Sequence, residues 1–281
     1  MTPPAEDAPR ERPRATVEVA TPVGGWLSPW PNVAELAAVL PTDRWTLVGG
    51  LMTQLHTVHR GIGVVRPTND ADIVLHIETS RGVPDATATA LEGLDYRLRD
   101  AVDPRSNTAH RFVRGTDRVD LVAGAAGDEI VDVLMSDHPA PKVVERLRGR
   151  DMVRIEGGTQ ALQRTMNAVL EITTAKRTLI SVPSSLGAVV LKAAAYTCDS
   201  RDRDRHLFDA AALLACIEDP FVERDNLRGS DRRRLTTLRR ALADDHAAWR
   251  RPHPRPAHHR HRLTLDTTRR YQPQNQGLPE P

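Results

Sequence analysis

An α+β fold is predicted: a small mixed β-sheet with flanking helices, followed by a helical C-terminal domain. Three observations lead there. Short apolar or alternating stretches recur up to Val182, each the length of a strand rather than a helix. From Pro183 onward, apolar residues recur every three to four positions, the helical period. Hydrophobic residues make up 40% of 281 positions, enough for a sizeable core, so a wholly disordered chain is excluded. Aromatics are only 4%, which leaves the core to Ala, Val and Leu.

Taken in order, residues 1–31 are rich in Pro, Glu and Arg and are expected to form a disordered arm. Asn32 is placed to cap a short helix over 33–40, ended by Pro41. An apolar strand over 45–48 is broken by Gly49-Gly50, and a helix over 51–58 follows. Residues 71–77 alternate strongly and predict a second strand; 84–94 predict a helix. Two strands, 110–114 and 118–123, are joined by a Gly-Thr-Asp turn. Further strands are expected at 151–155, 168–172 and 178–182, with a helical stretch over 160–165. Helices are then expected over 185–197, 206–217 and 231–249. The expected organisation is therefore an arm (1–31), a sheet domain (32–182), a helical domain (183–249) and a basic disordered tail (250–281).

Charge and composition narrow the function. The net charge of +2 conceals a tail, 250–281, with seven Arg against Asp266 and Glu280, a net of +5. The rest of the chain carries −3. A basic tail on a mildly acidic body suits a polyanion such as RNA, while the bland alternative is a solubilising tail. The run from Arg232 to Arg240 is a basic helical face, ordinarily a solvated surface, with RNA as the sharper reading. The longest apolar runs are too short to cross a bilayer and Lys192 interrupts one of them, so no membrane partner is expected. Without an apolar signal core behind Met1, and with two cysteines outside any zinc-like spacing, a cytoplasmic location is expected.

The chemistry concentrates in Leu47-Val48-Gly49-Gly50, in Arg66-Pro67-Thr68-Asn69-Asp70-Ala71-Asp72, and in Arg118-Val119-Asp120-Leu121. Strand residues i and i+2 share a face, so Asp70 and Asp72 present two carboxylates to one side. Two adjacent acids repel unless a cation shares them, and hard oxygen donors suit Mg²⁺. Asp120, flanked by apolar residues, is expected on a neighbouring strand as the third ligand. Three carboxylates can hold two metal ions for in-line attack on a phosphate. Gly49 and Gly50 end a strand and open a helix, where bare N–H groups attract phosphate. Each feature alone is weak, and their order is what is specific.

Gly49-Gly50 followed by Asp70-Ala71-Asp72 resembles the signature of the polymerase-β-like nucleotidyltransferase superfamily, with Asp120 matching its third carboxylate. Arg66-Pro67-Thr68-Asn69-Asp70-Ala71-Asp72 is similar to the Arg-x-Thr-x-Asp-x-Asp segment of the AbiEii and MenT-like toxin branch. Leu191-Lys192 and the stretch around Asp209 resemble that branch's helical half, where a lysine and an Asp-x-x-Asp complete the site. Here that motif reads His206-Leu207-Phe208-Asp209, so the first acid is replaced. The resemblance covers roughly residues 45–215.

It implies a nucleotidyltransferase core fold and a pyrophosphate-releasing enzyme that moves NMP from an NTP to an acceptor, with two Mg²⁺ ions on Asp70, Asp72 and Asp120. It also implies a catalytic site completed by Lys192 and Asp209, with Gly49, Gly50, Arg66, Thr68 and Lys192 on the nucleotide. The branch further implies a toxin with an antitoxin protein as partner and RNA, especially tRNA, as acceptor. Two other readings stay open: a small-molecule acceptor, as in aminoglycoside nucleotidyltransferases, and a catalytically silent binding module of the same fold. For single residues the ordinary alternatives are a lysine stem packed with its head in water (Lys192), a loop salt bridge (Arg66) and a locally bonded turn residue (Thr68).

Overall fold

The computed structural model describes residues 14–250, apart from 65, 102, 104, 116–127, 140–142, 144 and 175. The chain runs β1 (Thr16–Val19), α1 (Trp30–Val39), β2 (Trp45–Leu47), α2 (Gly49–His59), β3 (Asp70–Leu75) and α3 (Val83–Gly93). Next come β4 (Arg97–Leu98), β5 (Thr108–Ala109), β6 (Arg111–Arg114), β7 (Glu129–Ser136), β8 (Arg146–Leu147), β9 (Arg150–Met152) and β10 (Arg154–Ile155). A short α4 (Gly158–Leu162) leads into β11 (Thr165–Thr173) and β12 (Lys176–Pro183). The rest is helical: α5 (Ser185–Cys198), α6 (Asp204–Ala215), α7 (Pro220–Asp225), α8 (Asp231–Ala241) and a 3₁₀ turn at Ala247–Arg250. The fold is α+β, with sheets before Pro183 and helices after it.

The principal sheet is mixed, ordered β2-β3-β7-β6-β4 with β10 against β7. Its central strands β3 and β7 are parallel, and β6 returns antiparallel to β7. Period-two alternation divides the side chains of β3 and β7 between two cores. Ala71, Ile73 and Leu75 of β3, with Val131, Val133 and Met135 of β7, enter a core shared with α1, α3, β11 and β12. The opposite face sends Val74 and Leu134 into a second core, built mainly from α5, α6 and α8. Asp70, Asp72 and Asp132 fall on the parity of that second face, so the helical half stands over the carboxylates.

The structure departs from the sequence expectations at several points. Within the expected arm, Thr16–Val19 pairs parallel with β11, and Trp26 and Trp30 are buried. Asn32 does not cap α1, which begins at Trp30 behind Pro29; buried Asn32 instead donates from Nδ2 to the Tyr96 hydroxyl, 2.7 Å away. The strand expected over 151–155 divides into β9 and β10, and the final helix stops at Ala241 before the 3₁₀ turn. Neither β7 nor α7 was expected. The expected strand 118–123 and the tail beyond Arg250 lie outside the described residues. No described helix is long and apolar enough to cross a membrane.

Candidate active site

The site starts as a row across three strands. In the sheet register Asp72 of β3 stands opposite Asp132 of β7, and Asp132 stands opposite Arg111 of β6. Registered partners share a face, so two carboxylates and a guanidinium lie side by side. Asp70, two residues before Asp72, adds a third acid on the same side. Oxygens of Asp70, Asp72 and Asp132 all lie within 4.8 Å of one another, close enough to share a cation.

Burial and the crowding of like charges both act on Asp72. Burial, then the charges of Asp70 and Asp132, push its pKa up to about 7, although Lys192 and Arg205 pull the other way. Asp70 is steadied by Thr68, whose hydroxyl donates to Oδ1 at 2.7 Å, the local bond expected of a turn residue. Buried Asp132 is held by both arms of Arg111, at 2.8 Å from Nε to Oδ1 and 2.6 Å from Nη2 to Oδ2.

The glycine pair allows the turn between β2 and α2 to press onto these acids. Gly49 has φ of +68°, and a Cβ there would lie 1.8 Å from Asp72 Oδ2. A Cβ on Gly50 would lie 2.7 Å from Thr68 Oγ1. The neighbours that demand glycine are thus the carboxylate and the threonine, rather than empty space kept for a ligand.

Above the row, α5 and α6 bring Lys192 and Asp209 together. Lys192 Nζ is 2.7 Å from Asp209 Oδ2, and neither side chain is more than 6% exposed. Arg66 completes the cluster with a two-pronged contact, Nε to Oδ1 at 2.8 Å and Nη2 to Oδ2 at 2.9 Å. Burial would raise the pKa of Asp209, but Lys192 and Arg66 outweigh it and hold the group below the usual range. One carboxylate therefore carries two cations, leaving a net positive cluster beside a negative row.

Between the sheet face and α5–α6 lies a cavity of about 370 Å³. Asp72, Gly49 and Lys192 line one part of it, Met52, Leu134 and Ile155 form an apolar wall, and Arg205 and His206 contribute polar groups. His206 joins Arg205 on Asp199: Nε2 is 3.0 Å and Arg205 Nη2 2.9 Å from Oδ2.

Of the residues singled out from sequence, Gly49, Gly50, Thr68, Asp70, Asp72, Lys192, Asp209 and Arg66 meet in this region. Asp120 lies outside the described residues; among the described ones the third carboxylate of the row is Asp132. Sequence reasoning also missed Arg111. The signal for Asp132 was available: a single acid inside the apolar run Ile130-Val131-Asp132-Val133-Leu134-Met135.

No protein-family model matches the chain. No curated protein matches it either. A solved structure described as an antigenic nucleotidyltransferase-like protein from Paracoccidioides brasiliensis is similar over 65% of this chain and 74% of that one. The sequence identity is 15% and the TM-score 0.40. At that level the likeness fixes neither activity nor residues, and the side chains themselves must carry the function.

Proposed function

We propose that this protein is a Mg²⁺-dependent nucleotidyltransferase that moves a nucleoside monophosphate from an NTP to an acceptor hydroxyl. The observation that carries the reading is the convergence of Asp70, Asp72 and Asp132 within 4.8 Å, facing the cations Lys192 and Arg66. Each of the crowded acids raises the cost of ionising the others, and a shared cation relieves that cost. The donor set, all carboxylate oxygen, fits a hard divalent cation. Asp70, Asp72 and Asp132 would hold Mg²⁺, which when bound supplies charge neutralisation at phosphate and a lower pKa for a bound hydroxyl.

The protein's own residues account for the remainder. Lys192 offers its charge to the triphosphate from a wall of the cavity, while Asp209 fixes its direction and Arg66 adds a second positive group. The apolar wall of Met52, Leu134 and Ile155 gives a nucleobase a surface to lie on. The acceptor hydroxyl gives its proton to water as its oxygen bonds to the α-phosphorus, the bond to the bridging oxygen breaks, and pyrophosphate departs. Orientation and electrostatic stabilisation are the main contributions of such a site.

For the acceptor we favour RNA, supported by the +5 tail and by Arg232, Arg233 and Arg240, exposed along α8. The similarity of the Arg66–Asp72 segment to toxin nucleotidyltransferases supports a toxin whose growth arrest an antitoxin relieves. The test is incubation with each NTP labelled at the α-phosphate, Mg²⁺ and total RNA or small metabolites. Label should enter RNA, and Asp72→Asn should lower transfer by about 10³-fold or more. Label in small molecules selects that acceptor class instead, and no transfer with any NTP overturns the reading.

A further inference from the structure

The row Asp72–Asp132–Arg111 holds a feature that nucleotide transfer does not require. Arg111 lies on the adjacent strand in direct register with Asp132 and engages both of its oxygens, at 2.8 and 2.6 Å. The Asp132 side chain is 7% exposed against 42% for Arg111, so the carboxylate is enclosed while the guanidinium reaches solvent. A divalent cation shared by Asp70, Asp72 and Asp132 needs an oxygen of Asp132, and Arg111 already hydrogen-bonds to both. We infer that Arg111 is a built-in competitor for the third carboxylate, setting how strongly the cluster takes up divalent metal. This inference rests on the reading of the row as a metal site.

The argument is one of charge and reach. Fully ionised, the three carboxylates offer a cation three negative charges, and Arg111 cancels one of them at hydrogen-bond distance, where Coulomb interactions are strongest. Lys192 and Arg66 do not offset the row in the same way, because both contact Asp209. Arg111 is also the cation able to leave, since its side chain is partly exposed and can swing into water. Asp70 and Asp72 therefore form the ready half of the site. Asp132 takes up a cation against the charge and contacts of Arg111, so full occupancy demands a higher metal concentration than three free carboxylates would.

The test uses Mn²⁺ as a spin probe for Mg²⁺, with bound and free ion distinguished by electron paramagnetic resonance on the full chain. Arg111→Gln should bind Mn²⁺ roughly tenfold more tightly than wild type. Arg111→Lys, which keeps the charge but loses the two-pronged contact, should fall between them. Thermal melting should show the complementary effect: Arg111→Gln less stable without divalent ion and more strongly stabilised by Mn²⁺. Equal or weaker Mn²⁺ binding in Arg111→Gln, with wild-type binding intact and lost in Asp72→Asn, overturns the competitor role and leaves the metal site standing. Absence of Mn²⁺ binding in wild type itself, with or without a non-hydrolysable NTP analogue, removes the metal site and this inference together.

Discussion

Lys192 and Asp209 form an unequal pair, and the inequality has consequences. If Lys192 is replaced by Ala, Asp209 remains neutralised by the two-pronged Arg66. If Asp209 becomes Asn, Lys192 is left 6% exposed with no other carboxylate contact among the described residues. Breaking a buried pair from that side costs about 3–5 kcal/mol. Lys192→Ala should therefore fold with modest loss while losing most transfer activity. Asp209→Asn should unfold at clearly lower denaturant. Urea titration of both variants, with transfer rates for the folded one, checks the order; a Lys192→Ala protein that unfolds or retains full activity contradicts it. At this scale much of the site was legible: the local pattern around Gly49-Gly50 and Asp70-Ala71-Asp72 singled out residues that do meet. The third acid was not legible, because local alternation cannot say which later strand lies beside β3. Asp132 earns its place through parallel pairing across about sixty intervening residues, a tertiary fact.

Two glycines at the ends of α2 separate backbone strain from close approach. Gly49 at its start and Gly61 just beyond its end both have φ of +68°, but a Cβ on Gly61 would meet nothing within 4 Å. Gly61→Ala should cost about 1–2 kcal/mol, the left-handed penalty alone. Gly49→Ala adds the overlap with Asp72, for a total of about 2–5 kcal/mol, and displaces a carboxylate of the row. Urea unfolding measures the difference, and a divalent-ion melting shift present in Gly61→Ala but absent in Gly49→Ala ties it to the site. Equal costs and equal shifts contradict the close approach. Elements with a strong period were readable in advance: β3, α5 and α6 lie within a few residues of expectation. β1 was not, since four residues in a Pro- and Arg-rich arm form a strand only through pairing with β11 about 150 residues away. The helix α7 has six residues, too few for a period to declare itself.

Across the whole molecule, two cores are joined at a sheet whose site face carries like charges, and stability should register that strain. The Asp72 carboxyl titrates at about 7 in the folded chain against an ordinary 3.8. Between those values the folded form holds a proton that the unfolded form has released, so stability falls as pH rises through that window. Neutral Asn at position 72 should remove that part of the slope. The central claim, that these acids are gathered to hold a divalent cation, is tested most directly by thermal melting at about pH 8. Wild type and Asp72→Asn are compared with and without Mg²⁺. Without Mg²⁺ the variant should melt at the same temperature as wild type or a few degrees higher; Mg²⁺ should raise the melting temperature of wild type alone. A wild type that ignores Mg²⁺ even with NTP present, or a variant that melts lower and responds equally, would contradict the account.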